Sequence, residues 1–132
     1  MKTSTSRLPE YARKDLQQIV SLVLENLPRC EMIILYGSYA RGTYVEYDER
    51  DEFGILTSFM SDYDILVVTS KSDVKEAGQI LDSVDQMYYK RPDHQVPIQF
   101  INDDIEKLNS DLSEGRYFYT DVKKEGCLLY TS

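Results

Sequence analysis

The sequence predicts an α/β (α+β) domain built on a small mixed β-sheet flanked by helices. Three observations carry that expectation. Apolar residues recur at helical spacing in two long segments. Short continuous apolar runs, of the kind that form strands buried on both faces, lie between the helical segments. The order is helix, strand, irregular stretch, strand, helix, strand, two helices and a short strand, with no internal repeat and no low-complexity linker.

The elements follow in order. Residues 1–9 form a lead-in, with Pro9 suited to a first helical turn. Glu10 to Leu27 places Leu16, Ile19, Val20, Val23, Leu24 and Leu27 on one helical stripe, which Pro28 stops. Glu31 to Tyr36 contains Met-Ile-Ile-Leu-Tyr, a buried strand ended by Gly37-Ser38. Residues 39–61 are the least regular stretch. Their Glu46, Asp48, Glu49, Asp51 and Glu52 read as a solvated loop, because like charges repel and stay hydrated. Tyr63 to Thr69 is the second strand. Ser72-Asp73 can cap a helix reaching about Tyr89. Gln95 to Ile101 is a third strand, and Asn102 or Asp103 can cap a helix to about Leu112. Gly115 to Glu125 reads as a last helix ended by Gly126. Cys127 to Tyr130 is a short apolar tail.

Composition bounds the function. The chain has 132 residues, enough for one domain with one core. Its net charge of −8 disfavours long nucleic acids and anionic membrane surfaces. Two cysteines, Cys30 and Cys127, make neither a disulfide scaffold nor a paired metal motif, so they read as small buried residues. No apolar run reaches membrane-spanning length. A cytoplasmic protein is expected. A single histidine, His94, leaves little room for a His-based triad or zinc site.

Two features carry chemistry. Gly37-Ser38 follows a strand directly and precedes Arg41. Asp62 and Asp64 share one face at the start of the next strand, since strand side chains alternate. Two carboxylates held together call for a cation between them, and Mg²⁺ is normally shared between carboxylates and substrate phosphates. Gly37 allows close backbone approach by a phosphate chain. Ser38 offers a hydroxyl and an N–H, and Arg41 adds positive charge. Together these suit nucleotidyl transfer.

"LYGSYARG" followed by "SDYDILVV" resembles the nucleotidyltransferase superfamily of DNA polymerase beta, in its minimal bacterial form. The ending "EGRYFYTDVKKEGCLLY" is similar to the close of such domains. More narrowly, the chain resembles the nucleotidyltransferase half of proteins paired with a HEPN domain, in cis or in trans. The resemblance implies Mg²⁺ and ATP or another NTP at Gly37, Ser38, Asp62 and Asp64. It also implies one domain over 1–132, an N-terminal fragment that a HEPN domain can follow. Some relatives are antitoxins that transfer AMP to a HEPN toxin.

Two departures stand out. Twenty-three residues separate Ser38 from Asp62, so an insertion sits beside the proposed site, as a lid, a partner-contact loop or a surface segment without a role. The family's third carboxylate falls on Gln99, an amide that cannot act as a general base. Asp93 and His94 lie off that register. Both a nucleotidyltransferase and a catalytically impaired docking or nucleotide-sensing module fit these residues. The many tyrosines, including Tyr36, Tyr39, Tyr44, Tyr47 and Tyr63, are expected chiefly as half-buried packing residues.

Overall fold

The computed structural model describes residues 1–92 and 96–132. The expected start of a strand at Gln95, and the positions of Asp93 and His94, lie outside the described residues. The elements are α1 (Glu10–Asn26), β1 (Met32–Tyr36), α2 (Gly37–Arg41), β2 (Asp48–Glu52), β3 (Ile55–Phe59), β4 (Tyr63–Thr69), α3 (Val74–Tyr89), β5 (Ile98–Asp104), α4 (Ile105–Ser113), α5 (Tyr117–Glu125) and β6 (Cys127–Thr131).

The main sheet has the order β5-β4-β1-β6. β4 runs parallel to β5 and antiparallel to β1, and β1 runs antiparallel to β6. The expected mixed sheet is therefore present. Its two central strands are apolar through their middles because each is covered on both faces. On one face, Ile33, Leu35, Tyr63, Ile65 and Val67 join a large core with Ile19 and Val23 of α1 and Leu81 and Val84 of α3. On the other, Ile34, Leu66 and Val68 meet Leu108 of α4 and Val122 of α5. A buried hydrogen bond from Tyr63 Oη to Asp15 Oδ2 (2.7 Å) fixes α1 against β4.

Several boundaries differ from expectation for identifiable reasons. α4 is capped by Asp104, whose carboxylate accepts from Lys107 N at 2.7 Å, and not by Asn102 or Asp103. Those two residues extend β5 instead. Asn102 Nδ2 donates to Val67 O (3.0 Å), while buried Asp103 accepts from the Tyr119 hydroxyl and tethers α5. Asp73 stands at the N-cap of α3 without a capping bond, because its carboxylate pairs with Arg29 at 2.6 Å. Gly126 ends α5 with φ −67°, not in a left-handed cap. A Cβ there would meet Val122 O, and Ile34 Cγ2 at 3.1 Å, so the glycine serves close packing on β1.

The largest correction concerns residues 39–61. They are not a loop but α2 followed by a β-hairpin, β2 paired antiparallel with β3. The hairpin forms its own two-stranded sheet, and its acidic side chains are largely solvated, as like charges require. Its base is clamped where Val45 and Ser61 exchange bonds: Ser61 N donates to Val45 O (2.9 Å) and Val45 N to Ser61 Oγ (2.8 Å).

Candidate functional site

The ends of β1, β4 and β5 bring the expected residues into one row. Tyr36 of β1 is in register with Asp64 of β4, and Asp64 with Gln99 of β5. Registered neighbours on adjacent strands share a sheet face, so Tyr36, Asp64 and Gln99 stand side by side. Asp62 lies just before β4, whose bounds are those expected, Tyr63–Thr69.

Gly37 turns the chain from β1 into α2 at φ +74°, a conformation that glycine adopts without steric cost. A Cβ there would overlap Asp64 Oδ2 and lie 3.0 Å from Asp64 Cγ. Gly37 is therefore needed for a second reason beyond the one its sequence context suggests. The space a side chain would take is held by the Asp64 carboxylate. Ser38, partly buried, opens α2, which is one turn long and closes at Gly42 in the left-handed region.

The electrostatics of the pair are unusual. The Asp64 carboxyl is pushed up from 3.8 to about 7, first by burial, then by its hydrogen bond with Asp62 and by that residue's charge. Arg41 pulls in the opposite direction. The Tyr36 hydroxyl is raised to about 12, chiefly by burial and then by Asp64 and Asp62. Tyr36 thus borders the carboxylates. Arg41 is half-exposed and also faces Glu125 of α5, with Nη1 to Oε2 at 3.8 Å.

A cleft of about 210 Å³ opens beside the row, lined by Tyr36, Gly37, Arg41, Phe118, Asp121 and Glu125. Tyr36 and Phe118 meet edge to face, with ring centroids 5.3 Å apart. The contribution of α5 through Phe118 and Glu125 has no local signature, since it depends on how α5 folds back over β1. The other tyrosines divide as packing demands. Tyr39 and Tyr63 are buried in the core, Tyr44 stacks on Tyr39 (4.3 Å), and Tyr47 is exposed.

Among the described residues, no three His, Cys, Asp or Glu side chains converge as a metal cluster. The two carboxylates nonetheless suit a divalent cation as a pair. They are adjacent, mutually repulsive and partly desolvated, and a cation between them would relieve that repulsion. Gln99 puts an exposed amide where a third carboxylate would complete the set. No described helix is long and apolar enough to cross a membrane.

No protein-family model and no curated protein matches the chain. Solved structures do. A crystal structure of a candidate nucleotidyltransferase from Sulfolobus solfataricus is similar over 98% of this chain and 90% of that one, at 18% identity and a TM-score of 0.54. A toxin–antitoxin structure with AMP-PNP aligns over 89% of this chain and 73% of that one, at 21% identity and a TM-score of 0.45. At these identities the likeness concerns architecture: the chain has a minimal nucleotidyltransferase-like fold.

Proposed function

We infer that this domain binds a magnesium–nucleoside triphosphate at the ends of β1 and β4 and transfers a nucleotidyl group, AMP in the first instance, to a hydroxyl acceptor. The observation that carries the reading is the packing of Asp64 against Gly37, with Asp62 beside it and Arg41 in electrostatic reach. Asp62 and Asp64 would hold Mg²⁺. Bound there, the ion would supply charge neutralisation to the phosphates and leaving pyrophosphate.

The chain's own residues do the rest. Gly37 leaves backbone free of side-chain bulk, Ser38 offers its hydroxyl, and Arg41 contributes a guanidinium to the triphosphate. In the transfer, the acceptor oxygen bonds to the α-phosphorus, the bond to the β-phosphate oxygen breaks, and pyrophosphate leaves. The acceptor proton passes to solvent, since the amide of Gln99 cannot take it. The acceptor is a protein tyrosine, a small molecule such as an aminoglycoside, or an RNA end.

Gln99 favours a second reading. With an amide in register with Asp64, the domain is a catalytically impaired nucleotide sensor or antitoxin-like docking module for a HEPN partner. That partner enters through the motif resemblance alone, in cis or in trans.

Calorimetry with ATP, with and without Mg²⁺, tests the first reading beside Asp62→Asn/Asp64→Asn. Saturable, Mg²⁺-dependent binding that the double variant loses is expected. A folded wild-type domain that binds no nucleotide overturns it. If binding holds, Gln99→Glu is expected to raise the transfer rate.

A further inference from the structure

The short helix α2 carries Ser38 and Arg41, yet it is one turn long and has too few internal bonds to stand alone. Contacts from outside must hold it. Its core face is held by buried Tyr39, which stacks on Tyr44 and packs on Tyr63. Its C-terminal end, where Arg41 sits, is held from elsewhere. The Lys2 ammonium donates to Ala40 O in that last turn and to Glu125 O at the end of α5, the latter at 2.9 Å. Carbonyls at helix C-termini lack partners within their own helix and attract cations. We propose that Lys2 is a positioning residue for the phosphate side of the site. Its ammonium pins the end of α2 to the end of α5 and so places the Arg41 guanidinium.

The reach of Lys2 is fixed by its own backbone. Lys2 N donates to Gly126 O (3.0 Å) and Leu128 N donates to Lys2 O (2.8 Å), which makes residue 2 a parallel bridge partner of Cys127. β6 lies next to β1 in the sheet, and β1 leads directly into α2. The ammonium is thus anchored on the same sheet from which α2 springs. Its two acceptors also bring neighbouring side chains into relation. Glu125 presents its carboxylate to Arg41, with Nη1 to Oε2 at 3.8 Å, while its carbonyl is held by Lys2. Ala40, the other acceptor, precedes Arg41 directly. One cation therefore grips the backbone on both sides of the Arg41–Glu125 pair.

Both of these bonds go to main-chain carbonyls, so Lys2 acts on a phosphate through Arg41 and not by touching it. The role needs a donor at the end of the side chain, since a hydrocarbon of the same length fills the space and makes neither bond. Lys2→Met is that substitution. Lys2 is only partly buried, so the change leaves the core intact. The inference rests on the reading of Gly37, Ser38 and Arg41 as the triphosphate side of the site. It adds that Arg41 depends on a residue of the N-terminal lead-in, far from it in sequence.

Two measurements on the whole chain test this. The first needs no nucleotide. Thr43 N donates to Ser38 O (2.9 Å), and Gly42 N donates to the same carbonyl, so these amides report whether the end of α2 is closed. In Lys2→Met their hydrogen exchange is expected to quicken about tenfold, while amides in the middle of β4 change far less. The second is calorimetry with ATP and Mg²⁺. Lys2→Met is expected to weaken binding about tenfold, and Arg41→Met to weaken it as well. The double variant is expected to bind no worse than Arg41→Met alone, because Lys2 works through Arg41. Losses that add in full mark a general effect on the fold and overturn the proposal. Unchanged exchange at Gly42 and Thr43 overturns it too. So does wild-type binding that Lys2→Met leaves intact, which spares the site reading. A wild-type chain that binds no ATP overturns the site reading and this role together.

Discussion

Carboxylates crowd two regions of this molecule, and the backbone treats the two differently. On the hairpin, Glu49, Asp51 and Glu52 are exposed on a strand with water around it and hydrate, while Asp48 pairs with Arg50 at 2.9 Å. At the end of β4, Asp64 cannot turn away. It is held in register between Tyr36 and Gln99, pressed against Gly37, and next to Asp62. Residue type is shared; what differs is whether the scaffold removes the freedom to escape repulsion. A region that forces charges together stores an unfavourable interaction that a ligand can relieve, whereas one that lets them spread advertises only solubility.

The sharpest way to break this contrast is Gly37→Ala. The new Cβ meets the Asp64 carboxylate in a left-handed backbone, and a loss of about 3 kcal/mol is expected in denaturant midpoints. Next is Tyr63→Phe, which strips a buried hydrogen bond from Asp15 on the scaffold side of β4. A cost of about 1–3 kcal/mol is expected by the same measurement.

Asp64→Asn should do the reverse of ordinary damage. The Asp64 carboxyl is raised from 3.8 to about 7 in the folded state. Between those values the folded chain binds more protons than the unfolded one, so this residue's contribution is present at low pH and lost as pH rises through about 7. Without metal, thermal melts of Asp64→Asn and wild type should converge near pH 4 and separate by pH 8. The variant is the more stable there, by up to about 1 kcal/mol. Mg²⁺ should raise the melting temperature of wild type and leave the variant unmoved. The smallest effect belongs to the hairpin. Joining Tyr47 to Met60 through two glycines should change monomer stability by no more than about 0.5 kcal/mol, because the Val45–Ser61 clamp survives.

The same contrast explains what the sequence made legible. β4 could be located to the residue because Ile65 through Val68 is buried on both faces and reads as one apolar run. The hairpin could not. β2 has no apolar residue with which to alternate, and Phe53-Gly54 lacks the Asn-Gly or Asp-Gly signature of its turn. The end of β5 was hidden because Asn102 and Asp103 look like caps, and only the Val67 carbonyl and Tyr119 hydroxyl give them other work. At the candidate site, alternation along β4 sets Asp62 and Asp64 on one face, and the family pattern points to Gln99; the register of Gln99 with Asp64 depends on the parallel pairing of β5 with β4. The contact of Asp64 with Gly37 could not be read, since it depends on how tightly α2 bends back over β4.

The strand order has a consequence for biosynthesis. β1 lies between β4 and β6, yet β6 emerges roughly ninety residues after β1, on the order of 5–20 s later during translation. Until then the Ile34–Leu35 edge of β1 has no neighbour on that side. Lys2 waits still longer for its part. Its backbone joins Gly126 and Leu128, and its ammonium reaches the carbonyls of Ala40 and Glu125. Lys2 is made long before its partners around β6 and is among the last to find its place, so a nascent chain passes through a stage in which its central strand is an open template for mispairing.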